Sequence, residues 1–100
     1  MGVTVGNPRG LHVRPCSHLA QMIGRYQCDV YVSKQEMPYF NFMMHGKPYM
    51  NVKSILGFLS LGIIFRDELE FLGAGPDAAA ALGAICEYVG RNIDYEEPRN

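Results

Sequence analysis

Val3-Thr4-Val5-Gly6-Asn7-Pro8-Arg9-Gly10-Leu11-His12-Val13-Arg14-Pro15 runs from an alternating pattern, through a turn-rich loop, to a helix-opening proline. Val3 and Val5 alternate with small or polar neighbours and read as a short, half-buried strand. Asn7, Pro8, Arg9 and Gly10 form a loop by residue type. Proline suits the first helical position, where its missing N–H costs nothing, so the spacing predicts a helix from Pro15. Amides just behind such a start, at Cys16 and Ser17, point outward with a partial positive charge. His12 and Arg14 stand at this junction. A histidine is nucleophilic near neutral pH, and arginine offers a planar, permanently charged fork to phosphate oxygens. Taken alone, His12 has the plainer reading of a solvated loop residue. Taken with its neighbours, it describes an anion site that carries its own acceptor atom.

The pattern continues outward from that junction. Leu19, Ala20, Met22 and Ile23 keep helical spacing, weakening at Gly24. Val30 and Val32 mark a second strand. Phe40, Phe42 and Met44 alternate, His45-Gly46-Lys47-Pro48 interrupts, and Met50 and Val52 alternate again. That stretch is either one interrupted strand or a hairpin. Ser54 precedes an apolar segment closed by Leu61-Gly62, as an N-cap would. Leu69 and Phe71 mark the last strand. Gly75-Pro76-Asp77 then opens an Ala-rich helix, with Asp77 as N-cap and Leu82, Ile85 and Val89 toward the core. The tail 94–100 is polar and expected to fray. The order is strand, helix, strand, strand, helix, strand, helix. It predicts an α+β open-faced β-sandwich, a four-stranded antiparallel sheet with three helices on one face.

Composition sets the outer bounds. One hundred residues, 48% hydrophobic and 19% charged, suit a single folded domain, taken as 1–93, and argue against disorder. A net charge of −1 gives no electrostatic case for nucleic acid. The longest nearly apolar run, Ile55 to Phe65, is about half of the ~20 residues a membrane span requires. No secretory signal is visible, and Met1-Gly2 lacks the Ser or Thr at position 6 that myristoylation favours. Cys16, Cys28 and Cys86 are an odd number without a CxxC pair, expected as reduced thiols of a cytoplasmic protein. His12, Cys16, His18 and Cys28 are metal-ligand types, but Pro15 divides the nearest pair and no second tight pair exists, so no metal or other cofactor is expected.

Gly10-Leu11-His12-x-Arg14-Pro15 resembles the active-site segment of the HPr family, the histidine phosphocarriers of the bacterial sugar phosphotransferase system. Gly46-Lys47, Val52-Lys53-Ser54-Ile55-Leu56 and Leu61-Gly62 resemble that family's turn, its regulatory-serine helix and the closing Leu-Gly. The resemblance runs from about Val3 to Val89 and implies the same order of elements. It also implies that His12 takes a phosphoryl group from an upstream phosphotransferase enzyme and passes it to sugar-permease components. Such a protein is a carrier phosphorylated on histidine rather than a stand-alone enzyme. Arg14 would stabilise the phosphate, and the backbone at Cys16 and Ser17 would bind it. Ser54 resembles the serine that a regulatory kinase phosphorylates in many relatives; its plainer role as an N-cap is compatible. Ile55 and Phe58 are expected as partner-docking positions, with Leu56 and Leu59 in the core.

Two departures stand out. Cys16 and Ser17 replace two alanines common in the family, placing a thiol near His12. An insertion at about 34–45 brings in Met37, Tyr39, Phe40, Phe42, Met43 and Met44. If Phe40, Phe42 and Met44 face the core, then Tyr39, Asn41 and Met43 face outward. Residues 37–44 would then support a homodimer or a dedicated partner; the other reading folds the segment over its own sheet. The alternative function is an HPr-like regulatory binding module, in carbon or nitrogen control, that takes no part in sugar transport.

Overall fold

Antiparallel pairing organises the chain. The computed structural model describes residues 1–37 and 39–91, with only the backbone at Phe42. Pro38, the Phe42 side chain and the polar tail expected at 94–100 lie outside what is described. The elements are β1 (Gly2–Thr4), α1 (Val13–Ile23), β2 (Asp29–Lys34), β3 (Phe42–Met44), β4 (Lys47–Asn51), α2 (Ile55–Ser60), β5 (Glu68–Ala74) and α3 (Ala78–Val89). The strands lie in the order β1-β5-β2-β4-β3. The expected architecture of one antiparallel sheet and three helices is present, with a fifth strand.

That fifth strand resolves the ambiguity around Gly46. Met44 pairs with Lys47, leaving His45 and Gly46 as a two-residue turn with φ of 52° and 77°. Positive φ at both central positions is the turn geometry whose twist matches a hairpin. The segment is therefore a hairpin and not one interrupted strand.

Period-2 alternation explains which side of the sheet is covered. Val30 and Val32 of β2, Leu69 and Phe71 of β5, and Met50 of β4 are buried on one face. Leu19 and Ile23 of α1, Phe58 of α2, and Ala81, Ile85 and Val89 of α3 meet them in one core. Tyr49, next in sequence to Met50, is buried too but lies outside that core cluster. Alternation places it toward the helix-free face. There the segment before β3 is tied to β4: the Asn41 backbone amide donates to the Tyr49 carbonyl (2.8 Å), and Asn41 Oδ1 accepts from the Asn51 amide.

One expectation about the insertion needs correction. Phe40 and Met44 do not face the core; they are 49% and 40% exposed, close to Tyr39 at 62% and Met43 at 54%. β3 is an edge strand, paired with β4 among the described residues, and its exposed side chains lie beyond the helix-covered core that Met50 of β4 joins. The caps differ as well. Ser54 and Asp77 hold the N-cap positions, yet neither side chain makes a capping hydrogen bond. Asp77 Oδ2 instead accepts from the Gln27 amide at 2.8 Å, fastening the α1–β2 connection to the start of α3.

Candidate functional site

The loop between β1 and α1 owes its shape to a few short bonds. The Gly10 amide donates to the Asn7 carbonyl at 2.8 Å, and Asn7 Nδ2 donates back to the Gly10 carbonyl at 2.9 Å. Gly10 has φ of +68°, and a Cβ there would stand 2.3 Å from the Ile63 carbonyl oxygen. Both the conformation and the space exclude any other residue. The Leu11 amide then donates to that Ile63 carbonyl at 3.1 Å. The strand-to-helix loop is thus pinned on the segment that follows α2.

His12 is the next residue. It is half-buried, with extended backbone (φ −87°, ψ −165°), and occupies the N-cap position of α1. The helix begins at Val13, two residues earlier than the proline suggests. Pro15 is therefore the third helical residue, still within the first turn, where its lack of an N–H removes no helical bond. This shifts the anion-binding amides. The Cys16 amide donates to the His12 carbonyl at 3.1 Å, the first bond of the helix, and Ser17 lies deeper still. Neither can offer its backbone to a phosphate, contrary to expectation. The first-turn amides ahead of Cys16 belong to Val13 and Arg14. Arg14 is exposed in this first turn, so its guanidinium and the positive end of the helix dipole occupy the same region as His12.

Cys16 is not a reactive neighbour of His12. Its side chain is fully buried, its Sγ donates to the Leu11 carbonyl at 3.5 Å, and burial pushes the thiol up to about 12. A thiol held so far above neutral pH is no nucleophile there.

The second expected site lies on α2. Ser54 is exposed, and its carbonyl accepts from the Phe58 amide at 2.8 Å, which leaves the hydroxyl outside the helical bonding. Ile55 is half-buried. Phe58 is 1% exposed and Leu56 is 85% exposed, reversing the expected roles. The cause is phase: with Ile55 as the first helical residue, position 58 turns inward and position 56 outward. Phe58 fills the core and cannot dock a partner; Leu56 can. Leu59 packs against the core, as expected. Val13, Ile64 and Phe65 are exposed apolar residues on the segments flanking His12.

Sequence reasoning missed Asn7, taken only as a turn residue. Its side chain is completely buried, and a buried carboxamide signals a structural duty. Nothing local in the sequence distinguishes it from an exposed loop asparagine. Among the described residues no group of three or more His, Cys, Asp or Glu could hold a metal ion, and no helix is long and apolar enough to cross a membrane.

Known proteins resemble this chain in sequence and in fold. Residues 2–91 match the family described as PTS HPr component phosphorylation site. The chain is 30% identical over 92 residues to phosphocarrier protein NPr of Shewanella violacea, covering 92% of this chain and 89% of that protein. It is 30% identical over 83 residues to phosphocarrier protein HPr of Treponema pallidum, covering 83% and 82%. The crystal structure of a phosphocarrier protein HPr from Bacillus anthracis superposes with a TM-score of 0.73 at 29% identity, covering 89% of this chain and 93% of that one.

Proposed function

The chain belongs to the HPr family of phosphocarrier proteins of the phosphotransferase system, and we propose that His12 is the residue that carries its phosphoryl group. The donor is an upstream enzyme phosphorylated on histidine at the expense of phosphoenolpyruvate; the acceptors are sugar-permease components in the cytoplasm. The observation that carries this reading is the seat of His12, half-buried at the N-cap of α1 beside the exposed Arg14. A lone pair on the imidazole of His12 forms a new P–N bond while the donor's P–N bond breaks. The donor's imidazole leaves with that electron pair and takes up a proton, and His12 releases one from its other ring nitrogen. Protein groups do little covalent work in such a transfer, which depends on positioning and charge. Arg14 and the positive end of the α1 dipole supply that charge.

Ser54 is the proposed regulatory phosphosite, with a serine kinase as partner; its exposed hydroxyl at the start of α2 supports this. Partner docking is assigned to Ile55 and, in place of Phe58, to Leu56. Self-association through residues 37–44 is proposed separately, on the exposure of Tyr39, Phe40, Met43 and Met44 along an edge hairpin.

The test mixes the chain with phosphoenolpyruvate and the upstream enzyme. Acid-labile, base-stable label is expected on the unsubstituted chain and none on His12→Ala. Arg14→Ala should slow transfer, through loss of a charge-assisted contact of ~1.5–3 kcal/mol. Full labelling of His12→Ala would overturn the assignment, and no labelling of the unsubstituted chain would favour a regulatory binding module.

A further inference from the structure

Every peptide group in the two residues before His12 is held. The Gly10 amide is bound by the Asn7 carbonyl and the Gly10 carbonyl by Asn7 Nδ2. The Leu11 amide is bound to Ile63, and the Leu11 carbonyl accepts the thiol of Cys16. The His12 carbonyl accepts the first helical bond. Only two of these partners are side chains, and a thiol is a weak donor. The carboxamide of Asn7 is therefore a strong side-chain tie on this loop, and its complete burial shields the bond from competition by water. Gly10 is the pivot: at φ of +68° it has no side chain of its own to resist rotation of the Gly10–Leu11 peptide. Releasing its carbonyl would leave that peptide held by the Leu11 amide alone and loosen the seat of His12, two residues on.

We propose that Asn7 is a positioning residue for phosphoryl transfer: it fixes the Gly10–Leu11 peptide and thereby holds the His12 imidazole in line with the helix terminus. The inference rests on the reading of His12 as the phosphoryl acceptor. Asn7 itself is buried and touches neither phosphate nor partner. Its role should show in the rate of the chemical step and not in the affinity for the donor enzyme.

The test measures kcat and KM for the intact chain as substrate of the phosphorylated donor enzyme, comparing it with Asn7→Ala and Asn7→Asp. The aspartate keeps the shape and loses the donor hydrogens. Circular dichroism at the assay temperature identifies which variants are folded. A folded variant is expected to lose roughly ten- to a hundredfold in kcat, the scale of a misplaced reacting group, with KM within about twofold. A folded variant with unsubstituted kcat overturns the inference while leaving the His12 reading intact. No labelling of the unsubstituted chain overturns both. Should neither variant fold, hydrogen exchange decides on the unsubstituted chain. The Asn7 side-chain amide should exchange at least about tenfold more slowly than that of the exposed Gln21; equal rates overturn the inference.

Discussion

Cys16 shows how far a single residue's surroundings can redirect its chemistry. In sequence it is a thiol four residues from a nucleophilic histidine; in the fold it is a small core side chain, and burial pushes its thiol up to about 12 from an ordinary 9.0. The sign of the pH effect follows. Above the ordinary value the unfolded chain releases this proton and the folded chain keeps it, so the contribution to stability is complete below pH 9 and is lost as pH rises toward 12. Denaturant titrations of Cys16→Ala are expected to show a flatter decline over that window, at ~1.4 kcal/mol less per unit of displaced pKa. Equal slopes for the two chains would contradict it. His12 and Arg14 were legible from residue type because nucleophile, fork and proline each have a stated use. Asn7 was not legible, because its complete burial is set by the folded loop and by nothing in the local residue types.

Elements were legible in kind and order and less so in phase. Proline at the first helical position is a preference, and here Val13 and Arg14 precede it in the helix. With the helix started two residues early, Cys16, one of the two expected phosphate-binding positions, is already inside the helical bonding. In α2 six residues are too few for an apolar period to announce its inward side, and nearly every position is apolar. The resulting exchange of Leu56 and Phe58 is measurable. Phe58→Ala is expected to cost ~3–5 kcal/mol of stability. Leu56→Ala should stay within about 0.5 kcal/mol in stability and raise the KM for the donor enzyme; the reverse pattern would contradict the burial. Ser54→Asp mimics a phosphate at the same helix start. Negative charge there suits the helix and repels acidic partners, so phosphorylation of His12 should slow without loss of the fold. An unchanged rate would leave Ser54 as an N-cap position only.

At the scale of the molecule, one sheet covered on one side explains most of what was read in advance. The alternation of Val30, Val32, Leu69 and Phe71 names the covered face, and the helices follow from it. The insertion was legible only as surplus apolar surface, since alternation cannot say whether an edge strand has a roof. Its exposed hairpin predicts self-association: sedimentation at high micromolar concentration should show a dimer that is lost when residues 37–44 are shortened to a tight turn, and monomers in both cases would end that proposal. The proposed function turns on one imidazole in this architecture. Three histidines are available, at 12, 18 and 45. His18 stacks on Tyr88 with ring centroids 4.6 Å apart, and His45 lies in the hairpin turn. Phosphorus–nitrogen correlation NMR on the intact chain, phosphorylated by the donor enzyme, identifies the bonded imidazole directly. Phosphorus is expected on His12 alone; phosphorus on His18 or His45, with the His12 ring unchanged, would contradict the assignment.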